Sequence, residues 1–152
     1  MASTIQGYGN FIKNLLINNI PNLQDEGVVV RCALLDESFS LDQTHEFWSD
    51  ISSTEITGKV DYDSEGHYGQ QDLINKQVIY DDVAGTITFD ADNISFGSEV
   101  TIAARYMAIY EVEATPEESP LLLLVDFGEL KSSLDGRFEV NWHADGIFYI
   151  SI

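Results

Sequence analysis

Residues 100–127 read VTIAARYMAIYEVEATPEESPLLLLVDF, and this stretch decides the fold. Its two ends, "VTIAARYMAIY" and "LLLLVDF", are apolar on alternate and intervening positions alike, the pattern of strands covered on both faces. Between them "EATPEESP" places two prolines and three glutamates in succession, which neither strand nor helix can bury. The segment therefore predicts two central strands paired antiparallel through an exposed acidic loop.

Working outward, β-branched and aromatic residues cluster between turn residues and predict strands at about 27–35, 55–61, 76–80, 86–89, 94–97, 100–112, 121–127, 137–143 and 147–152. At the C-terminus, "GRFEVNWHADGIFYISI" alternates Phe138, Val140 and Trp142 on one face, turns at Asp145-Gly146, and returns with Phe148, Ile150 and Ile152. That spacing predicts a two-residue type I′ hairpin with Trp142 on its inward face. Only the N-terminal stretch has helical periodicity. In "GYGNFIKNLLINNI" the residues Tyr8, Phe11, Ile12, Leu15, Leu16 and Ile20 recur at helical spacing until Pro21, predicting an amphipathic helix at about 8–20. The fold class expected is mainly β, an antiparallel β-sandwich with a partly open barrel as alternative. It comprises residues 1–152 as one domain, because 152 residues suffice for one core and no linker-like stretch divides them.

The charge balance limits the partners. Seven basic against 26 acidic residues give a net charge of −19, which repels phosphate backbones and anionic headgroups, so neither nucleic acid nor membrane is expected as a partner. No basic n-region precedes an apolar run, and the longest aliphatic run, Leu121 to Val125, is too short to cross a bilayer, which points to a cytoplasmic origin. Cys32 is the only cysteine, so no internal disulfide can form. It shares a strand face with Val28, Val30 and Leu34, where a small buried hydrophobe is expected rather than a nucleophile.

One stretch imitates a metal site. In "DYDSEGHYGQQD" (61–72), Asp61, Asp63, Glu65, Gly66 and Asp72 approximate the spacing of an EF-hand calcium loop. Its flanks, "STEITGKV" and "LINKQVIYDD", are strand-forming, however, whereas an EF-hand needs a helix on each side. Position five is Glu and the last ligand is the short Asp72. We read a polar inter-strand loop and no specific metal site, leaving room for weak adventitious calcium binding. Asp81, Asp82, Asp90 and Asp92 are likewise expected to serve turns.

No catalytic or cofactor-binding residue is expected. His45, His67 and His143 fall in no zinc-binding spacing, and neither a nucleophile elbow nor a phosphate-cradling loop is present. His143 is read as a hairpin-end surface histidine. Trp48, with Tyr62 and Tyr68, offers a stacking platform for sugars or a partner, weighed against a core role for Phe47 or Trp48, which we favour. A carbohydrate-binding or carbohydrate-cleaving module, built from aromatics and carboxylates, is the alternative from a different functional class.

The order "THEFWSDI" (44–51), "NKQVIYDD" (75–82), "FDADNISF" (89–96), "ARYMAIYE" (104–111), "LLLLVDFGE" (121–129) and "FEVNWHADGIFYI" (138–150) resembles a family of small structural proteins of tailed bacteriophages. The likeness extends to "FIKNLLINN" followed by "GVVVRCALLD" and so covers nearly the whole chain. It implies a non-enzymatic virion component, assembled in the host cytoplasm, that decorates or cements the capsid exterior, with a head–tail or tail accessory role as alternative. The implied partners are capsid or other virion proteins, with room for a homo-oligomer on the particle. The chain departs from the family at "GKVDYDSEGHYGQQD" (58–72), where the family is glycine-rich and less acidic. The candidate docking surfaces are the helix face around Phe11, Leu15 and Leu16 and any strand left unpaired at a sheet edge.

Overall fold

A computed structural model describes residues 3–56 and 69–152. The fold is mainly β, with antiparallel sheets and one short N-terminal helix. The expected central pair is its axis. Strand β7 (Val100–Glu111) runs against β8 (Leu121–Gly136), with β2 (Val30–Leu35) on the other side of β7. Strands β1 (Thr4–Gly7) and β3 (Gln71–Asp72) complete a five-stranded antiparallel sheet in the order β1-β8-β7-β2-β3.

The aliphatic half of β8, residues 121–125, is buried throughout, as are residues 32–35 of β2 and 107–111 of β7. Consecutive burial means that both faces of the sheet are covered. On one face the segment after β2 supplies Phe39, edge-on to Tyr106 at 5.1 Å, and Trp48, stacked on Tyr110 at 4.7 Å with the rings 3° from parallel. Trp48 opens a 3₁₀ turn (Trp48–Asp50) whose start is held by Asp50, which accepts from the Glu46 and Phe47 amides at 2.9 Å each.

Two smaller sheets complete the body. Strands β6 (Ile94–Ser95) and β9 (Glu139–Val140) pair with each other, and Phe138 reaches both Phe96 and Phe127 edge-on, linking this pair to β8. Strands β4 (Gln77–Asp81), β5 (Thr86–Asp90) and β10 (Phe148–Ser151) form an outer sheet in the order β10-β5-β4. The buried apolar side chains make one cluster spanning all three sheets.

Several expectations are corrected. Helix α1 covers Gly9–Leu16 rather than 8–20, because Asn18 turns into the left-handed region at φ +58° and the Asn19 amide donates to Asn14. β8 runs nine residues past the predicted end at 127. Its polar extension "ELKSSLDG" lacks an apolar period, but ladder pairing to the start of β7, with bulges along the way, holds it as a strand. β1 and the 3₁₀ turns were not expected. Of the strand predicted at 55–61, Glu55 forms an isolated bridge to Leu35, and residues 57–61 lie outside the described residues.

The terminal hairpin does not form. β9 pairs with β6 and β10 pairs with β5, and only a bridge between His143 and Gly146 joins the two arms. A type I′ turn needs positive φ at both central residues; Gly146 has it, at +97°, and Asp145 does not.

Candidate functional site

The structure separates the residues that the sequence made candidates. Trp48 is buried at 6% exposure against Tyr110, so it is a core residue and no stacking platform. Tyr62, Tyr68 and His67 lie outside the described residues, as do Asp61, Asp63, Glu65 and Gly66 of the calcium-like stretch. Asp72, at its described end, makes a two-pronged contact with Arg31 across the β2–β3 ladder, at 2.5 and 3.2 Å. Cys32 is fully buried, and that burial pushes its thiol pKa up, away from the thiolate needed of a nucleophile. His143 is exposed at the 143–146 turn, where its Nδ1 accepts from the Asp145 amide at 3.1 Å. Asp81 caps the β4–β5 turn by accepting from the Val83 and Ala84 amides at 2.9 Å each, and Asp92 accepts from the Asn75 side chain. Asp81 serves its turn as expected, whereas the Asp92 carboxylate holds a residue distant in sequence.

Of the anticipated docking surfaces, the helix face is largely used internally. Phe11 is buried and meets Phe148 edge-on at 6.0 Å, while Ile12 packs on the core. Leu15 and Leu16 remain exposed at the end of α1.

The outer sheet offers more. Its register places Val78, Tyr80, Ile87, Phe89, Phe148 and Ile150 on one face. Phe89 and Phe148 sit against the body, and the rest of the face is open: Tyr80 is 65% exposed, and Val78, Ile150 and Ile87 are 44, 42 and 37% exposed. Among the described residues neither β4 nor β10 has a second neighbouring strand. The β4 edge is partly blocked, since Gln24 Oε1 accepts from the Val78 amide and Asp81 and Asp82 follow. Among the described residues no strand covers the outer edge of β10. Residues 146–152, "GIFYISI", contain no charge and no proline, the usual devices that stop an edge strand from pairing. The opposite face of the sheet lines an open polar groove with Asp81, Thr88, Asp90, Asp145 and Tyr149.

A second feature was not singled out in the sequence. Glu111, the last residue of β7, and Glu113 just beyond it come together with Glu118 from the acidic loop, Glu46 before the 3₁₀ turn, and Asn14 and Asn19 from α1 and its end, around a cleft of about 370 Å³. Glu111 is only 4% exposed; burial first, then its hydrogen bond to the Glu113 carboxyl and the charge there, raise its pKa to about 8. Its sequence signal, "EVEATPEES", is an acidic run that reads equally well as an exposed loop.

No protein-family model, no characterised protein and no solved structure matches the chain.

Proposed function

We propose that the chain is a non-enzymatic structural component of a tailed-phage virion that docks on the exterior of the shell through the outer sheet. The observation that carries this reading is the exposed apolar face of β10-β5-β4 beside the uncharged free edge of β10, in a chain of net charge −19. Such a surface supports attachment by apolar burial and strand addition, which long-range repulsion between acidic neighbours weakens little. The ordered motif likeness to phage structural proteins supplies the partner. A head–tail or tail accessory position uses the same chemistry.

The test is binding of purified protein to particles lacking it, from low to high salt. Retention at high salt is expected, and Ile150→Asp with Tyr80→Asp should abolish it. Steep loss of affinity with salt, or retention on DNA without shell protein, would overturn the proposal, because counterion release from DNA produces that dependence.

The polar groove on the reverse of the outer sheet, where Tyr149 is 54% exposed beside Asp81, Asp90 and Asp145, favours a second reading as a carbohydrate-binding module. A glycan array distinguishes the two: saturable glycan binding lost in Tyr149→Ala would favour the module.

A further inference from the structure

Of the four outer edges of the two larger sheets, three carry a device that discourages another strand. On β4 the Val78 amide already donates to Gln24 at 3.1 Å, and Asp81 and Asp82 follow. β3 is two residues long and includes the charged Asp72, and on β1 the Gly7 carbonyl accepts from Gln43 Nε2 at 3.5 Å. Among the described residues β10 has no such device. The Ile152 amide donates to the Gly85 carbonyl at 2.8 Å, and the register sets Ile150 against Ile87 and Phe148 against Phe89, so these three amides turn toward β5. By the period of two, the amides and carbonyls of Tyr149 and Ser151 turn outward, and both residues are exposed.

Charge selects the occupant of that edge. Two copies of a chain carrying −19 repel wherever their acidic surfaces meet, but "GIFYISI" (146–152) brings no charge of either sign to a contact with itself. An antiparallel pair of identical strands is also self-complementary, because a two-fold axis sets the same groups on both sides.

We propose that the β10 edge pairs antiparallel with β10 of a second copy, joining two three-stranded outer sheets into one sheet of six strands. The outward-facing residues fix the register. Tyr149 of each copy lies opposite Ser151 of the other, which gives four backbone hydrogen bonds, and the axis passes between Ile150 and its counterpart. Those two isoleucines form a non-hydrogen-bonded pair with Cα atoms about 4.5 Å apart. Phe148 of each copy then neighbours Ile152 of the other on the apolar face, where burial adds to hydrogen bonds whose net worth against water is modest. Centring the axis on Tyr149 instead would need an outward amide at Ile147, which donates to the Phe89 carbonyl at 2.9 Å. The inference rests on the reading of the outer sheet as the docking surface: it gives the edge to a second copy and leaves the open face, now doubled, to the shell.

Sedimentation of the purified chain from micromolar to millimolar concentration, at low and at high salt, reads the association. A reversible monomer–dimer equilibrium that moves toward dimer as salt screens the net charge is the expected result. Ser151→Pro removes one outward amide from each copy and leaves the bonds to β5, so it should weaken the dimer about tenfold or more, with unchanged hydrogen exchange at Ile150 and Ile152 as its folding control. Cross-linking tests the register without relying on that variant. Ile150→Cys should oxidise to a disulfide-linked dimer, since its Cα separation lies within disulfide reach, whereas Tyr149→Cys, displaced from its counterpart by two residues, should not. Cys32 is buried and takes no part. The proposal is overturned by a chain monomeric at every concentration, by a dimer that dissociates as salt is added, by dimerisation unchanged in a folded Ser151→Pro, or by equal cross-linking at 149 and 150. Amides of Tyr149 and Ser151 that gain protection only on the particle, in a chain monomeric in solution, would give the edge to the shell protein instead. A chain that forms this dimer yet fails to bind depleted particles would overturn the docking reading alone.

Discussion

Trp48 and Trp142 divide the two roles that a tryptophan can take in this fold. Trp48 lies flat on Tyr110 inside the core, and emptying that space with Trp48→Ala should cost about 3–5 kcal/mol in chemical denaturation. Trp142 was expected on the inward face of a hairpin, yet it is half-buried, donating its indole N–H to the Asp92 carbonyl at 2.9 Å. Trp142→Ala should therefore cost less, about 1–2 kcal/mol for one hydrogen bond and partial packing. Equal losses in the two variants would contradict this ordering. Glu111 sets a pH dependence. Unfolded, its carboxyl titrates at about 4.5; folded, it holds its proton up to about 8. Below the lower value both states are protonated and the stabilisation is complete. Between the two only the folded state binds the proton, so each rise in pH favours unfolding, and the stabilisation is gone above the upper value. Stability should fall from pH 5 to pH 8, and Glu111→Gln should flatten that slope; a slope unchanged in the variant would remove Glu111 as its source.

At the scale of elements, the C-terminal arms are the instructive case. Alternating apolar residues told which face of 138–142 points inward, whereas in 148–152 only Phe148 packs on the core and Ile150 and Ile152 are exposed; the alternation fits any partner with a matching face. Val140 pairs with Ile94, and Phe148 and Ile150 sit opposite Phe89 and Ile87, so each arm joins a strand distant in sequence. Gly146 makes the crossing possible: its φ of +97° suits glycine, and a Cβ there would come within 2.3 Å of Thr88 Cγ2 and 3.2 Å of the Phe89 carbonyl. Gly146→Ala should cost about 2 kcal/mol or more from strained φ and the clash together. It should also release β10 from β5, read as faster hydrogen exchange at Ile150 and Ile152, whose amides face β5, while β7 and β8 stay protected. Uniform loss of protection would instead mean that β10 is integral to the main sheet's stability.

Across the whole molecule, the net charge of −19 acts on stability as well as on partners. Among the described residues, four basic side chains are tied to nearby carboxylates: Arg31 to Asp72, Arg105 to Asp126, Lys131 to Glu129 and Arg137 to Glu139. Most of the 26 acidic side chains therefore repel without local compensation, and added salt should raise the melting temperature by screening them; a melting temperature that falls with salt would show that the ion pairs outweigh the repulsion. The fold class, the β7–β8 axis and the burial of Cys32 were legible in the sequence, because β-branched content and two-sided apolar runs are local properties that any packing must respect. The helix was legible in place but not in length, since its end depends on a left-handed Asn18 that periodicity does not reveal. Which strand each C-terminal arm joins, the open apolar face of the outer sheet, and the meeting of Glu46, Glu111, Glu113 and Glu118 with Asn14 were decided only by tertiary structure. Strand partnership and cleft formation depend on contacts between residues far apart in the chain, and a pattern of period two records which face is buried but not what buries it.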